Sequence, residues 1–142
     1  NVAGSELMLG GMDPAAGPKL AAIRDADGWI LNGAKSAFIT NAGVADNYLI
    51  ISRTDAHKPP IEGLSLFGVP ATTPGLSIGE KTGLIGWPLT HHAELRFDDA
   101  RLPSGALLGQ EGGAAMLFAM VPEMPVCLAA CFVGLARAAH DY

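Results

Sequence analysis

The sequence predicts a mainly β domain, a small barrel or a sandwich, with helix following it. Short apolar or alternating runs recur between turn-forming residues through most of the chain. Its 142 residues include 18 glycines and 10 prolines, spread along the length as many turns between short strands require. After Gly113 the period of two gives way to a helical one.

The length is that of one domain, able to bury about two thirds of its unfolded surface. Apolar residues make up 49% and charged residues 16%, a globular rather than a disordered balance. A net charge of −5 argues against nucleic acid or an anionic membrane as partner. The cysteines, Cys127 and Cys131, sit four apart on one face of a predicted helix. They cannot pair as an ordinary helical disulfide, and two ligands make no zinc site, so no metal is expected. They are expected as buried thiols. With no charged-then-apolar leader at Asn1, the expected location is cytoplasmic.

In chain order, Leu7 to Leu9 predicts a strand and Met12 to Lys19 a loop rich in proline, glycine and alanine. Leu20 to Arg24 is a strand that Asp25-Ala26-Asp27-Gly28 turns back into Trp29-Ile30-Leu31. Asn32-Gly33 predicts a type I′ hairpin turn, since both residues tolerate positive φ. Lys35 to Thr40 is the next strand, closed by Asn41-Ala42-Gly43. Tyr48 to Ser52 is apolar enough to be buried on both faces. Thr54 to Glu62 is an exposed loop, Leu64 to Val69 a strand stopped by Pro70, and Leu76 to Ile78 a short strand. Glu80 to Pro88 is a loop. His92 to Phe97 alternates, with Ala93, Leu95 and Phe97 on one side, and Asp98-Asp99 is expected to end it. His91 and His92, as strand neighbours, point to opposite faces, cannot easily share a metal, and are expected at the surface. Leu102 to Gly109 passes back over the barrel.

Ala114 to Val121 and Val126 to Ala139 are helical, separated by Pro122 and Pro125. Glu123 suits the positive end of the second helix. That helix is apolar almost all round, yet too short and interrupted to span a bilayer. It is expected in a helical bundle. The chain therefore reads as a fragment of a longer polypeptide, or as one whose bundle another chain completes.

The strand ending in Phe38 and Thr40 offers a flat apolar face beside a hydroxyl. That suits a planar heteroaromatic ligand, and equally an aromatic core residue next to a strand-end threonine. Around it, DGWILNGAKSAFITNAGVAD resembles DGYVLNGxKxWITN of the acyl-CoA dehydrogenases. IGWPLTHHAELRFDDARLPSGALLGQEGGA is similar to that family's LGWRxSxTxxLxFxDVxVPxxxLLGxEGxG. Met12 to Lys19 sits where the family has TEPxAGSD. The motifs fall in the family's order and cover nearly the whole chain.

The resemblance implies a middle antiparallel β-barrel over residues 1–110 and the first helix or two of the C-terminal helical bundle over 111–142. It implies FAD, with Phe38 packed on the isoalloxazine and Ile39 following. Thr40 would hydrogen-bond the flavin edge near N5 and O4. Leu9, Met12 and Gly17 would stand beside the cofactor, and Pro18 and Lys19 beside an acyl-CoA substrate. The implied reaction is α,β-dehydrogenation of the thioester: a carboxylate takes the α-proton and the flavin takes the β-hydrogen as hydride. Most members carry that base in the bundle, so none is expected here. Glu123 is one residue off the position used by a minority. The implied partners are an electron-transfer acceptor and homologous subunits, as a homo- or hetero-oligomer.

Departures bear on the cofactor. Phe38 replaces the commoner tryptophan, and Leu9 stands where an aromatic often sits. Met12 replaces a threonine that reaches the flavin, forfeiting a hydrogen bond of about 0.5–1.5 kcal/mol net. Pro18 replaces serine and removes a backbone donor. Pro88 and Pro125 replace arginines. These changes leave two alternatives: a structural, non-catalytic subunit with an eroded flavin site, or a related oxidase or monooxygenase.

Overall fold

The computed structural model describes residues 19–84, 89–116 and 124–142, and the side chains at 36–38, 60–61 and 124–125 lie outside that description. The strands are β1 (Ala21–Asp25), β2 (Gly28–Thr40), β3 (Asn47–Arg53), β4 (Leu64–Pro70), β5 (Leu76–Ile78), β6 (His92–Pro103) and β7 (Leu107–Leu108). A single helical turn, α1 (Pro60–Gly63), precedes β4; a 3₁₀ turn, η1 (Ser104–Ala106), links β6 to β7; α2 spans Met124–Asp141.

The strands form one sheet in the order β5-β6-β2-β1-β3-β4-β7. Every neighbouring pair is antiparallel except β1 and β3, which meet in parallel at Ala21 and Arg53. The sheet curls into a barrel. β6 and β7 are five places apart in the order, about 24 Å in a flat sheet. Only Ser104–Ala106 joins them, a link that spans at most about 14 Å. The same curl brings the rings of Trp29 on β2 and Phe67 on β4 to 5.2 Å between centroids, edge to face, although β1 and β3 lie between those strands.

The interior follows the period of two. Trp29, Leu31 and Ile39 from β2, Tyr48 and Ile50 from β3, Phe67 and Val69 from β4, and Ala93, Leu95 and Phe97 from β6 form one buried cluster. Ile51, Leu64, Leu66 and Ala114 form a second. The segment after β7 lies over β4: Ala114 N–H donates to Leu64 O at 3.0 Å, and Gly112 N–H to Ser65 Oγ at 2.8 Å. Tyr48 to Ser52 is buried at Ile50, Ile51 and Ser52, while Leu49 is exposed.

The two-residue hairpin falls at Ala26-Asp27, where Asp25 pairs with Gly28, as the DADG turn predicts. Asn32-Gly33 is not a hairpin. β2 runs through it, and the pair sits at a bulge against β6. Between Leu31 and Gly33, β2 advances two residues, while its partners Ala100 and Phe97 are three apart, so the extra residue belongs to β6. Asp99 takes φ +47 and Gly33 φ +120. Asn32 caps the bulge: its Nδ2 donates to Asp99 Oδ1 and its Oδ1 accepts Asp99 N–H, both at 2.8 Å. Of the pair only Gly33 uses a positive φ, and it serves a bulge rather than a turn. For the same reason Asp98-Asp99 does not end β6, which continues to Pro103.

α2 begins at Met124, at the proline break, and its side chains from Val126 onward are exposed in this chain. Within this chain both thiols, Cys127 and Cys131, are exposed, so the described residues do not provide the burial expected of them. The burial expected of this helix needs surfaces that the described residues do not supply. The helix predicted over 114–121 and Glu123 fall mostly or wholly outside the described residues.

Gly28 packs against β6 so closely that a Cβ there would lie 2.0 Å from Leu102 O. Gly28→Ala must push backbone against backbone. Urea unfolding of the intact polypeptide is expected to register a loss of about 3 kcal/mol, the upper end for overpacking.

Candidate functional site

β2 carries the candidate residues Phe38, Ile39 and Thr40 at its C-terminal end, and a local turn sets where that end falls. Asn41 adopts φ +60, a conformation asparagine tolerates, and its N–H donates to His91 O at 2.6 Å. Gly43 N–H donates to the phenol oxygen of Tyr48 at 2.9 Å, tying the turn to the barrel interior. Upstream, β2 takes four residue steps from Lys35 to Ile39 while its partners Leu95 and Ala93 are two apart, so two extra residues are accommodated over 36–38. Beyond that irregularity the pairing resumes, with Ile39 opposite Ala93 and Thr40 opposite His92.

Alternation separates these two pairs. Ile39 and Ala93 are buried in the core, at 1% and 0% exposure. Thr40 lies on the opposite face and is half-buried. His92 is 6% exposed, with Nδ1 3.4 Å from Thr40 Oγ1 and Nε2 3.0 Å from Thr90 Oγ1. The expectation that both histidines lie at the surface is thus corrected. His91 is half-buried and His92 is buried. A buried imidazole is tolerated because both ring nitrogens meet hydroxyls. Sequence reasoning missed this because burial there depends on the facing strand and on Thr90. The signal was cross-strand: in the motif LGWRxSxTxxLxFxDV, Thr90 takes the serine position and His92 the threonine position.

Of the residues singled out in the sequence, Leu9, Met12, Gly17 and Pro18 lie outside the described residues, as do Trp87 and Pro88. Phe38 lies within β2 by its backbone. Ile39 offers a ligand only its main chain. Lys19 is exposed beside β1, where its carbonyl lies 3.3 Å from the point a Cβ on Gly33 would occupy. Gly33 and Thr40 face Phe97 and His92, five residues apart on β6 and about 17 Å by strand rise, so the structure does not bring Lys19 and Thr40 together. Lys35, within the same motif, is buried at 1% exposure. Its parity with Leu31 and Ile39 places it on the inward set, a signal that was present in the spacing.

The other end of β2 forms a cleft of about 320 Å³ lined by Asp25, Asp27, Gly28, Trp29, Arg101, Leu102 and Pro103. It lies at the opposite end of β2 from Thr40. Arg101 pairs with Asp25 at 2.6 Å, and Arg24 lies over the Trp29 ring at 4.4 Å. Among the described residues no group of three or more His, Cys, Asp or Glu could hold a metal. No described helix is long and apolar enough to cross a membrane.

The curled sheet thus carries a hydroxyl, Thr40, and an imidazole, His92, side by side on the face opposite the core. Residues 2–100 match the sequence profile of the acyl-CoA dehydrogenase middle domain. The chain is 39% identical over 126 residues to mitochondrial isobutyryl-CoA dehydrogenase of Dictyostelium discoideum, covering 85% of this chain and 30% of that protein. It is 36% identical over 118 residues to the mitochondrial short-chain specific acyl-CoA dehydrogenase of Bos taurus, covering 82% and 28%. In structure it resembles butyryl-CoA dehydrogenase from Megasphaera elsdenii, with TM-score 0.69 and 35% identity over 73% of this chain and 27% of that one. It also resembles a prolyl acyl carrier protein oxidase, with TM-score 0.67 and 32% identity over 71% and 26%. The chain belongs to the acyl-CoA dehydrogenase family. It spans about a third of the length of the curated relatives it matches.

At the distal cleft, the Ala26 N–H donates to Asp25 Oδ1 at 2.8 Å and Arg101 adds a charged donor, and together they hold the Asp25 carboxyl below its ordinary value of 3.8. The stabilisation tied to the ionised form is present above about pH 4 and is lost as pH falls through the lowered folded value. A carboxyl NMR titration is expected to place the Asp25 midpoint below 3.8. Arg101→Ala should raise that midpoint only partway, because the Ala26 N–H remains.

Proposed function

We propose that this chain forms the flavin-facing wall of an FAD-dependent enzyme that dehydrogenates an acyl-CoA thioester across Cα and Cβ. The observation that carries this is the outward, half-buried hydroxyl of Thr40 at the end of β2, on the strand that holds the family's motif. Its polar neighbours fit the edge of a planar ring bearing hydrogen-bonding atoms. Structural relatives that hold or depend on FAD support the cofactor, among them an FAD-dependent dehydrogenase at 31% identity and PigA in its FAD complex at 34% identity.

When bound, FAD supplies a hydride acceptor. The chain's own part is positional. Thr40 holds one edge of the ring by its hydroxyl, Ile39 contributes main chain only, and the barrel behind them keeps that wall rigid. Phe38 supplies the apolar face, with Leu9, Met12 and Gly17 beside the cofactor and Pro18 and Lys19 toward the acyl-CoA. Residues 1–110 make the barrel domain and 111–142 begin the helical domain. The base that takes the α-proton lies outside these residues. The electron acceptor is a separate electron-transfer protein, and homologous subunits complete the oligomer.

The losses at Met12 and Pro18 favour one alternative, a structural subunit paired with a catalytic homologue. The intact polypeptide, produced alone, should bind FAD one to one and bleach anaerobically with an acyl-CoA. A colourless protein that takes up no FAD overturns this function. One FAD per pair on co-expression with a catalytic homologue marks the structural subunit. Fast dioxygen consumption marks an oxidase. Thr40→Val is expected to keep the fold and slow flavin reduction about fivefold, the worth of one hydrogen bond near 1 kcal/mol.

A further inference from the structure

We propose that His92 is a positioning residue that sets the direction in which the Thr40 hydroxyl donates. This rests on the flavin-facing role proposed for Thr40. His92 and Thr40 are direct cross-strand partners on β6 and β2. The imidazole is 6% exposed and sits between two hydroxyls, Thr40 at 3.4 Å from Nδ1 and Thr90 at 3.0 Å from Nε2.

A neutral imidazole has one N–H donor and one bare nitrogen acceptor. Its two hydroxyl contacts must therefore run with opposite polarity. With the proton on Nδ1, His92 donates to Thr40 Oγ1 and accepts from Thr90. The Thr40 hydroxyl then keeps its own proton for a group outside the barrel. With the proton on Nε2, Thr90 becomes the acceptor and Thr40 spends its proton inward on Nδ1. A ring edge that presents acceptor atoms selects the first arrangement. His92 thereby makes Thr40 a committed outward donor rather than a freely rotating hydroxyl.

Thr90 is part of the device, because its proton must satisfy Nε2 for Nδ1 to remain the donor. The family motif has threonine at the His92 position, a side chain with no imidazole ring to span from Thr40 to Thr90. The three-group chain is a property of this sequence rather than of the motif.

The test uses the intact, FAD-loaded protein and reads the flavin's visible spectrum and its midpoint potential, not turnover. Thr40→Val should lower the potential and shift the long-wavelength band, because a donor to the ring edge is lost. His92→Ala should shift both in the same direction by no more than Thr40→Val. The double variant should match Thr40→Val alone. His92→Asn, which puts an amide N–H near the place of Nδ1, should recover most of the shift; His92→Gln, whose amide reaches the place of Nε2 and leaves no donor at Nδ1, should shift both as His92→Ala does and covers the case in which His92→Ala does not fold. Thr90→Val should give a smaller shift of the same sign. If FAD binds but His92→Ala and His92→Gln, or whichever of them folds, leave spectrum and potential unchanged, the positioning role is overturned and the flavin-facing function stands. Equal shifts from His92→Ala with Thr40 present or absent also overturn it. If the unsubstituted protein binds no FAD, the function itself falls, and this inference falls with it.

Discussion

The pairing of β2 with β6 is the constraint on which the rest of this structure depends. It is the longest ladder in the barrel, from Gly28 against Pro103 to Thr40 against His92. An unbroken ladder of that length would tend to remain an open twisted ribbon. Two irregularities bend it: one extra residue on β6 near Asp99, and two extra residues on β2 over 36–38. Bulges raise local twist and let a sheet curl on itself. The first is held by the reciprocal bonds of Asn32 and Asp99. The second lies immediately before the residues proposed to meet the cofactor, so the curvature that closes the barrel also aims the end of β2.

Much of the strand content was legible, because period-two burial and turn chemistry are local. The YLIIS run, the LSLFGV strand and the DADG turn fall where composition and alternation put them. Asn32-Gly33 was misassigned because the φ preference of that pair is shared by hairpin turns and bulges. Only the partner strand separates the two, and Asp99 is 67 residues away in sequence. The extension of β6 past Asp98-Asp99 was hidden for the same reason.

The candidate site was half legible. Resemblance pointed to Thr40, and the fold places Thr40 half-buried on the outward face. Resemblance alone did not distinguish Ile39, whose side chain belongs to the core and not to any ligand. His92 was invisible to single-strand reasoning, because its hydrogen-bond partner Thr40 lies on the facing strand. Helix α2 was correctly read as apolar, but apolarity alone does not name the surface that covers it, and its thiols are open in this chain.

The meeting of Trp29 with Phe67 has a consequence for how the molecule comes to be made. Those rings join strands 38 positions apart in the chain, and β4 must wait for β7 at Leu107 to complete its own edge. Contacts so distant in sequence are late and slow to form. Until η1 and β7 have been synthesised, the nascent chain carries unpaired strand edges, and it is then most exposed to clumping with its neighbours.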